Sequence, residues 1–224
     1  MKIDFDEEKH EYSVGGIKIP SVSEILAPLS ADRYRDLNPA VLQQAAARGT
    51  AIHEATQAID YGAEPEPNPD LDGYLAAYMA FLWEHEVEWS MIEQIVYYNR
   101  TEDELPLYAG TVDRYGLVDG VPTVVDIKTY ASLTTDSQLA ASCQTALYRD
   151  ALEEVASQYI ATWVKQRRAI LHLRKDGTYR FVDLDEWDNK HGFNSRDTAW
   201  MLYGIWQNVN AARKTVRKKR AASD

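Results

Sequence analysis

The chain has 224 residues, enough for one large hydrophobic core or two small ones. Hydrophobic residues make up 45% and charged residues 26%, as in ordinary globular proteins, and the net charge of −11 argues against a protein coated in positive charge for non-specific nucleic-acid binding. The single cysteine, Cys143, excludes an intrachain disulfide and any cluster that needs several thiolates, and it favours a reducing compartment.

The N-terminal part of the chain predicts a small hairpin followed by helices. A strand, a Gly15-Gly16 turn and a second strand are expected before residue 20. A serine-capped helix is expected to begin at Ser21 or Ser23. An Ala-rich segment with a proline in its first turn predicts a second helix over 39–60.

A Pro-rich loop and a further helix follow. Apolar residues recur at helical spacing over 71–89 and predict a helix there. At this spacing, aromatic side chains usually belong to the core, and we expect this of Tyr74, Tyr78, Phe81 and Trp83.

The pattern then changes to that of a sheet. The order of elements predicts a single α/β domain in which a mixed sheet is flanked by helices. The predicted elements are, in chain order, strands over 91–98, 109–118 and 121–130, a helix over 137–157, a hairpin turning at Asp176-Gly177 and a final helix from about Ser195.

A tight turn at Asp119-Gly120 would place two acids opposite each other. Residues at equal distances from the turn pair across the two strands, so Asp113 and Asp126 would be neighbours with Cβ atoms roughly 4.5–5.5 Å apart. Lys128 would point to the same face because side chains alternate along a strand. Facing carboxylates destabilise a sheet unless a divalent cation lies between them. The alternative is a salt bridge between Asp113 and Lys128 on a solvated face, with Asp126 exposed.

Four short motifs occur in order: RGTAIH at 48–53, GTVDR at 110–114, DIKT at 126–129 and QTALY at 144–148. Together they resemble the PD-(D/E)XK nuclease superfamily, and within it the RecB-like exonuclease branch. The opening IPSVSEIL is similar to the start of phage-encoded members of that group. The resemblance covers roughly residues 19–184 and implies a restriction-endonuclease-like domain with a central mixed β-sheet flanked by helices.

The resemblance implies a divalent metal ion held by His53, Asp113, Asp126 and the backbone carbonyl of Ile127. Oxygen ligands suit Mg²⁺, and one imidazole shifts the preference towards Mn²⁺. From the residues alone, His53 could equally be a helix histidine bonded to a neighbour. With only Cys143, the chain cannot hold the iron–sulfur cluster that four cysteines bind in some relatives.

The resemblance also implies a catalytic set of Asp113, Asp126, Lys128, Gln144 and Tyr148. Lys128 would orient the attacking water and stabilise charge on the phosphate. Gln144 and Tyr148 share one face of a helix, where they would contact the scissile strand or support Lys128. The alternative for this pair is a surface glutamine beside a buried tyrosine.

Several neighbouring residues have open interpretations. Glu54 and Glu93 could serve a second metal ion or support the first one, and Glu93 could equally be a solvated strand residue. Gly49 lies one turn before His53, where the missing side chain would let a sheet or a phosphate approach. Arg114 could contact phosphate or have a structural role.

We expect one nuclease domain over 1–212, in which residues 1–30 form an N-terminal hairpin and helix elaboration, and a flexible basic tail over 213–224. The basic run RKTVRKKR at 213–220 fits a solvated helix end or a phosphate-contacting tail. No apolar run approaches the length of a membrane span, and the N-terminus is too acidic for a signal peptide. The expected location is the cytoplasm, that of the host if the protein is phage-encoded.

The leading hypothesis is a metal-dependent DNA exonuclease of recombination, repair or replication. Its expected partners are single- or double-stranded DNA ends. Because the chain carries no helicase segment, it would act alone or with a separate partner such as a single-strand annealing or binding protein. The alternatives are an endonuclease on the same fold and a non-catalytic DNA-binding or assembly protein. Intact acids, lysine and histidine favour an enzyme.

Overall fold

A computed structural model describes residues 2–7, 9–34, 38–99, 105–156 and 166–221. These residues form a small three-stranded sheet, a larger five-stranded sheet and six helices. The mixed α/β architecture predicted from the order of elements is confirmed. Among the described helices, none combines the length and the apolar character needed to cross a membrane.

The small sheet is antiparallel and consists of β1 (Asp4–Asp6), β2 (Glu11–Val14) and β3 (Ile17–Ile19). Gly15 and Gly16 have positive φ angles, which confirms the predicted turn between β2 and β3. The single strand predicted before this turn is wrong, because the chain reverses between β1 and β2. His10, which has a φ of 52°, lies in that reversal.

Helix α1 (Val22–Tyr34) begins at the predicted serine. The backbone N–H of Glu24 donates to Ser21 Oγ at 3.0 Å, and Glu24 Oε2 accepts from the N–H of Ser21 at 3.0 Å. This reciprocal pair is a capping box, which satisfies two N–H groups that the helix itself cannot bond.

The large sheet has the order β4-β5-β6-β7-β8, and its strands are antiparallel except for the β6–β7 pair. That pair is parallel because a helix, α4, crosses from the end of β6 to the start of β7. The strands and helices are, in chain order, α2 (Pro39–Asp60), α3 (Asp72–Glu84), β4 (Val87–Tyr98), β5 (Tyr108–Val118), β6 (Val121–Lys128), α4 (Thr135–Ala156), β7 (Arg167–Leu173), β8 (Tyr179–Asp183), α5 (Leu184–His191) and α6 (Ser195–Ala221).

Two hydrophobic cores cover the two faces of the large sheet. Val124 packs with α1, α4 and α6, whereas its neighbour Val125 packs with α2 and α3. Because successive side chains of a strand point to opposite faces, these clusters lie on opposite sides of the sheet. Residues of β6 are therefore buried on both faces, and a polar side chain in this strand needs a partner inside the protein.

The helix predicted over 71–89 is partly wrong. Helix α3 ends at Glu84, and the residues from Val87 onwards form β4. Tyr78 and Phe81 are fully buried as expected, but Trp83 is 91% exposed. The short helix α5 was not predicted; Asp183 begins it by accepting from the N–H of Glu186.

Helix α6 continues through the basic segment as far as Ala221. The side chains of Arg213 and Lys214 are exposed there, which agrees with the interpretation of this segment as a solvated helix end. The proposed domain limits at 212 and 213 remain a prediction.

The buried Arg168 guanidinium joins β7 to α4, α5 and α6. It donates to Asp185 Oδ1 and to Asp188 Oδ2 at 2.9 and 2.8 Å, and to the carbonyl of Ser142 at 2.8 Å. Ser195 Oγ accepts a further bond at 2.7 Å. This network fixes α4 against the sheet with charge-assisted hydrogen bonds.

Replacing Gly116 by Ala should destabilise the sheet. A Cβ at this position would overlap the carbonyl oxygen of Glu88 and lie 2.8 Å from Trp89 Cα, both backbone atoms of the neighbouring strand. We expect a loss of about 1–3 kcal/mol in the free energy of unfolding, measured by urea denaturation. The control is Gly204→Ala in α6, where no heavy atom lies within 4 Å of the added Cβ; equal urea midpoints for the two variants would contradict this account.

Asp185→Asn should cost stability in a pH-dependent way. Burial opposes the charge of Asp185, but Arg168 and Arg149 outweigh it and lower the pKa of the carboxyl below its usual value. The unfolded chain has a pKa of about 3.9 at this group, so the stabilisation is complete above that value and is lost as the pH falls towards the lower folded pKa. We expect the variant to lose roughly 3 kcal/mol at pH 7, with the difference from the wild type shrinking below about pH 4 in urea titrations. A difference that stays constant down to pH 3 would contradict this assignment.

Candidate active site

Helix α2 brings His53 against two strands of the large sheet. His53 Nδ1 lies 3.0 Å from Glu93 Oε1 of β4 and 3.9 Å from Asp113 Oδ1 of β5. One possible ligand atom from each of these residues lies within 4.8 Å of the others. The three side chains are half-buried or buried, so this is a compact set of metal-type ligands rather than an exposed acidic surface.

Glu93 is held in an unusual backbone conformation inside a strand. Its φ is 48°, whereas the neighbouring residues Ile92 and Gln94 pair normally with Arg114 and Val112. Non-glycine residues rarely adopt positive φ, and such strain concentrates at functional sites. In this conformation, the Glu93 carboxylate contacts His53 of α2 and Arg114 of β5. The interpretation of Glu93 as a solvated strand residue is therefore wrong.

The β5–β6 hairpin has the register that the Asp119-Gly120 turn predicts. Both turn residues have positive φ, and the pairs run from Val118 with Val121 to Arg114 with Val125. One further step along the same register would place Asp113 opposite Asp126. With Glu93 at the corresponding step of β4, the acids of three adjacent strands form one row, which we call the carboxylate row (Glu93, Asp113 and Asp126).

The two aspartates each use one oxygen to hold the hairpin. Asp113 Oδ2 accepts from the backbone N–H of Ile127 at 2.7 Å, which leaves Oδ1 towards His53. Asp126 Oδ1 accepts from Lys128 Nζ at 2.7 Å. Asp126 is 1% exposed, and its Oδ2 has no hydrogen-bond partner among the described residues.

This geometry excludes the alternative in which Asp126 is exposed and Lys128 pairs with Asp113. Lys128 pairs with Asp126, and its side chain is only 17% exposed. Lys128 Nζ also lies 3.5 Å from Gln144 Oε1, and Gln144 Nε2 donates to the hydroxyl of Tyr148 at 3.2 Å. The predicted pair on α4 therefore forms a chain of contacts that leads from Tyr148 to Lys128.

Arg114 of the GTVDR motif has a structural role inside the protein. Its guanidinium is fully buried and donates to Asp60 Oδ2 and Thr56 Oγ1 of α2 at 2.6 and 3.0 Å. It also donates to Glu93 Oε1 at 2.8 Å. A phosphate cannot reach a side chain enclosed in this way, so the phosphate-contacting alternative is wrong.

Two glycines shape the space beside the carboxylates. A Cβ on Gly110 would lie 2.7 Å from Tyr148 Cε1, so glycine allows the tyrosine ring to pack directly on β5. Gly49 lines the cleft, and no heavy atom lies within 4 Å of a Cβ built there. The sheet does not approach Gly49 closely, and the space beside it belongs to the open cleft.

The buried charges shift the acid–base properties of the site. Burial opposes a positive charge on His53, but Asp113 and Glu93 together raise the pKa of the imidazole above its usual value. Burial raises the pKa of Asp126 to about 6, with Asp113 adding to the shift and Lys128 opposing it. Burial alone would lower the pKa of Lys128, but Asp126 raises it above the usual range, so the amine carries its charge.

The site opens into a cleft of about 750 Å³. His53, Glu93, Asp113, Gln144 and Tyr148 line it, together with residues of the small N-terminal sheet. Glu54 also lines the cleft and is exposed. The cleft therefore connects Glu93 and Asp113 of the carboxylate row with solvent, on a scale that suits a polymer strand or a small ligand, whereas Asp126 lies buried behind this lining.

The donor set fits a divalent cation. The unpaired Oδ2 of Asp126 is a buried anionic acceptor, which costs free energy unless a cation or a water satisfies it. Carboxylate oxygens are the preferred ligands of Mg²⁺, and an added imidazole suits Mn²⁺. The compact cluster of side-chain ligands contains His53, Asp113 and Glu93, so it adds Glu93 to the predicted side-chain ligands and leaves out Asp126.

Comparison with known proteins agrees with this chemistry. The family model of the PD-(D/E)XK nuclease superfamily matches residues 29–196, which include α2, the β4–β6 meander and α4. A comparison with curated proteins found no match. Because the family model covers most of the chain and the matched region contains the carboxylate row and Lys128, the protein belongs to the PD-(D/E)XK superfamily of divalent-metal-dependent nucleases.

Proposed function

We propose that the protein is a DNA exonuclease of the RecB-like type that uses Mg²⁺ or Mn²⁺ to hydrolyse phosphodiester bonds and leave 5′-phosphates. The observation that carries this proposal is the carboxylate row, with His53 on one side and the Asp126–Lys128 pair on the other. The four ordered motifs support the RecB-like assignment.

The residues that would hold the metal ion are His53, Asp113, Asp126 and the carbonyl of Ile127, and Glu93 joins them either as a ligand or by orienting His53. When bound, the ion would lower the pKa of a water and offset negative charge on the phosphate. The protein's own contribution is to keep two acid oxygens, Asp113 Oδ1 and Asp126 Oδ2, free of strong donors among the described residues.

Lys128 would orient the attacking water and stabilise the charge that develops on the phosphate. Its ammonium donates to Asp126 Oδ1 and to Gln144 Oε1, and these two acceptors fix its position. Gln144 and Tyr148 would position Lys128 and contact the scissile strand.

The proposed biological setting is DNA recombination, repair or replication, and the similarity of the N-terminal segment to phage members supports a phage origin. The substrate would be a DNA end, and a single-strand annealing or binding protein would be a further partner. The cytoplasm, that of the host for a phage protein, is the proposed location.

Lys128→Ala should lower kcat for hydrolysis of linear DNA by about 10²–10³-fold, because one preorganised donor to the reacting phosphate is lost. The measurement uses end-labelled linear DNA and covalently closed circular DNA with Mn²⁺ or Mg²⁺. We expect the wild type to digest the linear DNA and to leave the circles intact.

The matched control is Lys175→Ala, since Lys175 is exposed and pairs only loosely with Asp70 at 3.6 Å. If the wild type cuts the circular DNA, the protein is an endonuclease and the proposal of an exonuclease is wrong. No hydrolysis of either substrate would overturn a nuclease function, and full activity of Lys128→Ala would overturn the role of this lysine.

Glu93→Gln should weaken Mn²⁺ binding by roughly 10–100-fold in calorimetric titrations, because Glu93 contacts the His53 ring directly and at least orients it. Glu88→Gln, an exposed residue of the same strand, is the control and should bind Mn²⁺ like the wild type. Unchanged affinity in Glu93→Gln would show that the predicted set without Glu93 is sufficient.

A further inference from the structure

The small N-terminal sheet forms one side of the catalytic cleft. Phe5, His10 and Tyr12 of this region line the same space as His53 and Asp113. Strands β1–β3 end at Ile19, before the first residue of the family match at 29. This part of the cleft therefore lies outside the matched nuclease region.

The three rings form one contiguous cluster, which we call the aromatic wall (Phe5, His10 and Tyr12). Phe5 stacks on Tyr12 with ring centroids 4.7 Å apart, and His10 meets the ring of Phe5 edge-on at 5.2 Å. Tyr12 is buried, Phe5 is half-buried and His10 is exposed. The wall thus has a fixed base and a solvent-facing aromatic edge.

A hydrogen bond fixes the aromatic wall to the strand that carries the site. The hydroxyls of Tyr12 and Thr111 lie 2.8 Å apart. Thr111 precedes Asp113 by two residues in β5, a separation of roughly 7 Å along the strand. The wall and the carboxylate row are therefore neighbouring parts of one cleft.

The charge of the cleft limits how a nucleic acid can bind there. None of the described lining residues is a lysine or an arginine, whereas Glu7, Glu54, Glu93 and Asp113 all line it. The described lining side chains therefore offer a phosphate backbone no lysine or arginine, and Lys128 contacts the lining residue Gln144 without lining the cleft itself. Contacts to the bases can supply the affinity that such side chains would otherwise give, and aromatic stacking supplies them without sequence preference.

We propose that the aromatic wall is a stacking subsite for an unpaired nucleobase next to the scissile phosphate, so that the enzyme prefers single-stranded DNA ends. This rests on the proposed function, because it assumes that a DNA strand enters the cleft. Inside a duplex each base is stacked between two neighbours, and only the outer face of the end pair is free, so the bases next to the end cannot lay a face on Phe5 or His10. The subsite therefore selects strands whose terminal bases are free.

The test combines protein variants with abasic substrates. Phe5→Leu keeps an apolar contact to Tyr12 but removes the ring, and His10→Asn keeps a residue type that tolerates positive φ. An abasic site is placed in turn at each of the first three nucleotides of a fluorescent single-stranded oligonucleotide. Binding is measured by anisotropy with Ca²⁺, and hydrolysis is measured separately with Mn²⁺.

We expect each variant to bind the intact single strand about tenfold more weakly than the wild type and to raise KM more than it lowers kcat. One abasic position should weaken wild-type binding by a similar factor and have no further effect on the variants. Trp83→Ala is the control, because this ring is 91% exposed on α3 and does not line the cleft. Its affinity for the single strand should be unchanged.

Wild-type affinity in both variants, or an abasic penalty that adds fully to theirs, would overturn the stacking subsite. Equal losses for single strands and blunt duplexes would overturn the preference for free ends. If the wild type hydrolyses no DNA with Mn²⁺, the proposed function fails, whereas the Ca²⁺ binding measurements still decide whether the aromatic wall binds bases.

Discussion

The fully buried guanidinium of Arg114 connects the helix that carries His53 with the strands that carry the acids. It binds Thr56 and Asp60 on α2, Glu93 on β4 and the carbonyl of its own neighbour, Asp113. A buried cation is tolerated only with such a complete set of acceptors, and each acceptor is thereby fixed in place. The position of His53 relative to the carboxylates therefore depends on a residue that does not itself reach the cleft.

Three acids on adjacent strands would ordinarily oppose folding, and the structure counters each of them with a donor. Glu93 is paired with Arg114, Asp113 with the N–H of Ile127, and Asp126 with Lys128. These donors are enough to bury the acids, but the described residues do not satisfy every oxygen. Under the proposed function, the remaining acceptor capacity, above all Oδ2 of Asp126, would favour a cation, because the cation would satisfy an acceptor that the described residues leave unpaired.

The sequence predicts the centre of the site better than its surroundings. A two-residue turn fixes the register of a hairpin, so the register predicted from Asp119-Gly120 was found in the observed pairs from Val118 with Val121 to Arg114 with Val125. Asp113 and Asp126 lie one step beyond the last of these pairs. The role of Glu93 was left open because its contact to His53 spans 40 residues and its positive φ has no local sequence signal. The end of α3 was missed for a related reason: apolar residues over 87–89 suit a helix and a strand equally, and only pairing with β5 decides between them.

Arg114 and the N-terminal sheet show two different ways in which residues outside the chemistry shape it. Arg114 has a positioning role, because its hydrogen bonds hold α2 close to β4 and β5, and with them His53 close to Glu93 and Asp113. The N-terminal sheet shapes the wall of the cleft. Its Tyr12 contacts Thr111, which lies on β5, the strand that also carries Asp113. Under the proposed function, changes at the exposed edge of this sheet would alter which DNA ends enter, whereas the carboxylate row is held by other contacts, from Arg114, Lys128 and the N–H of Ile127. Substrate choice and bond cleavage would then be separable in this protein, although both depend on the same strand, β5.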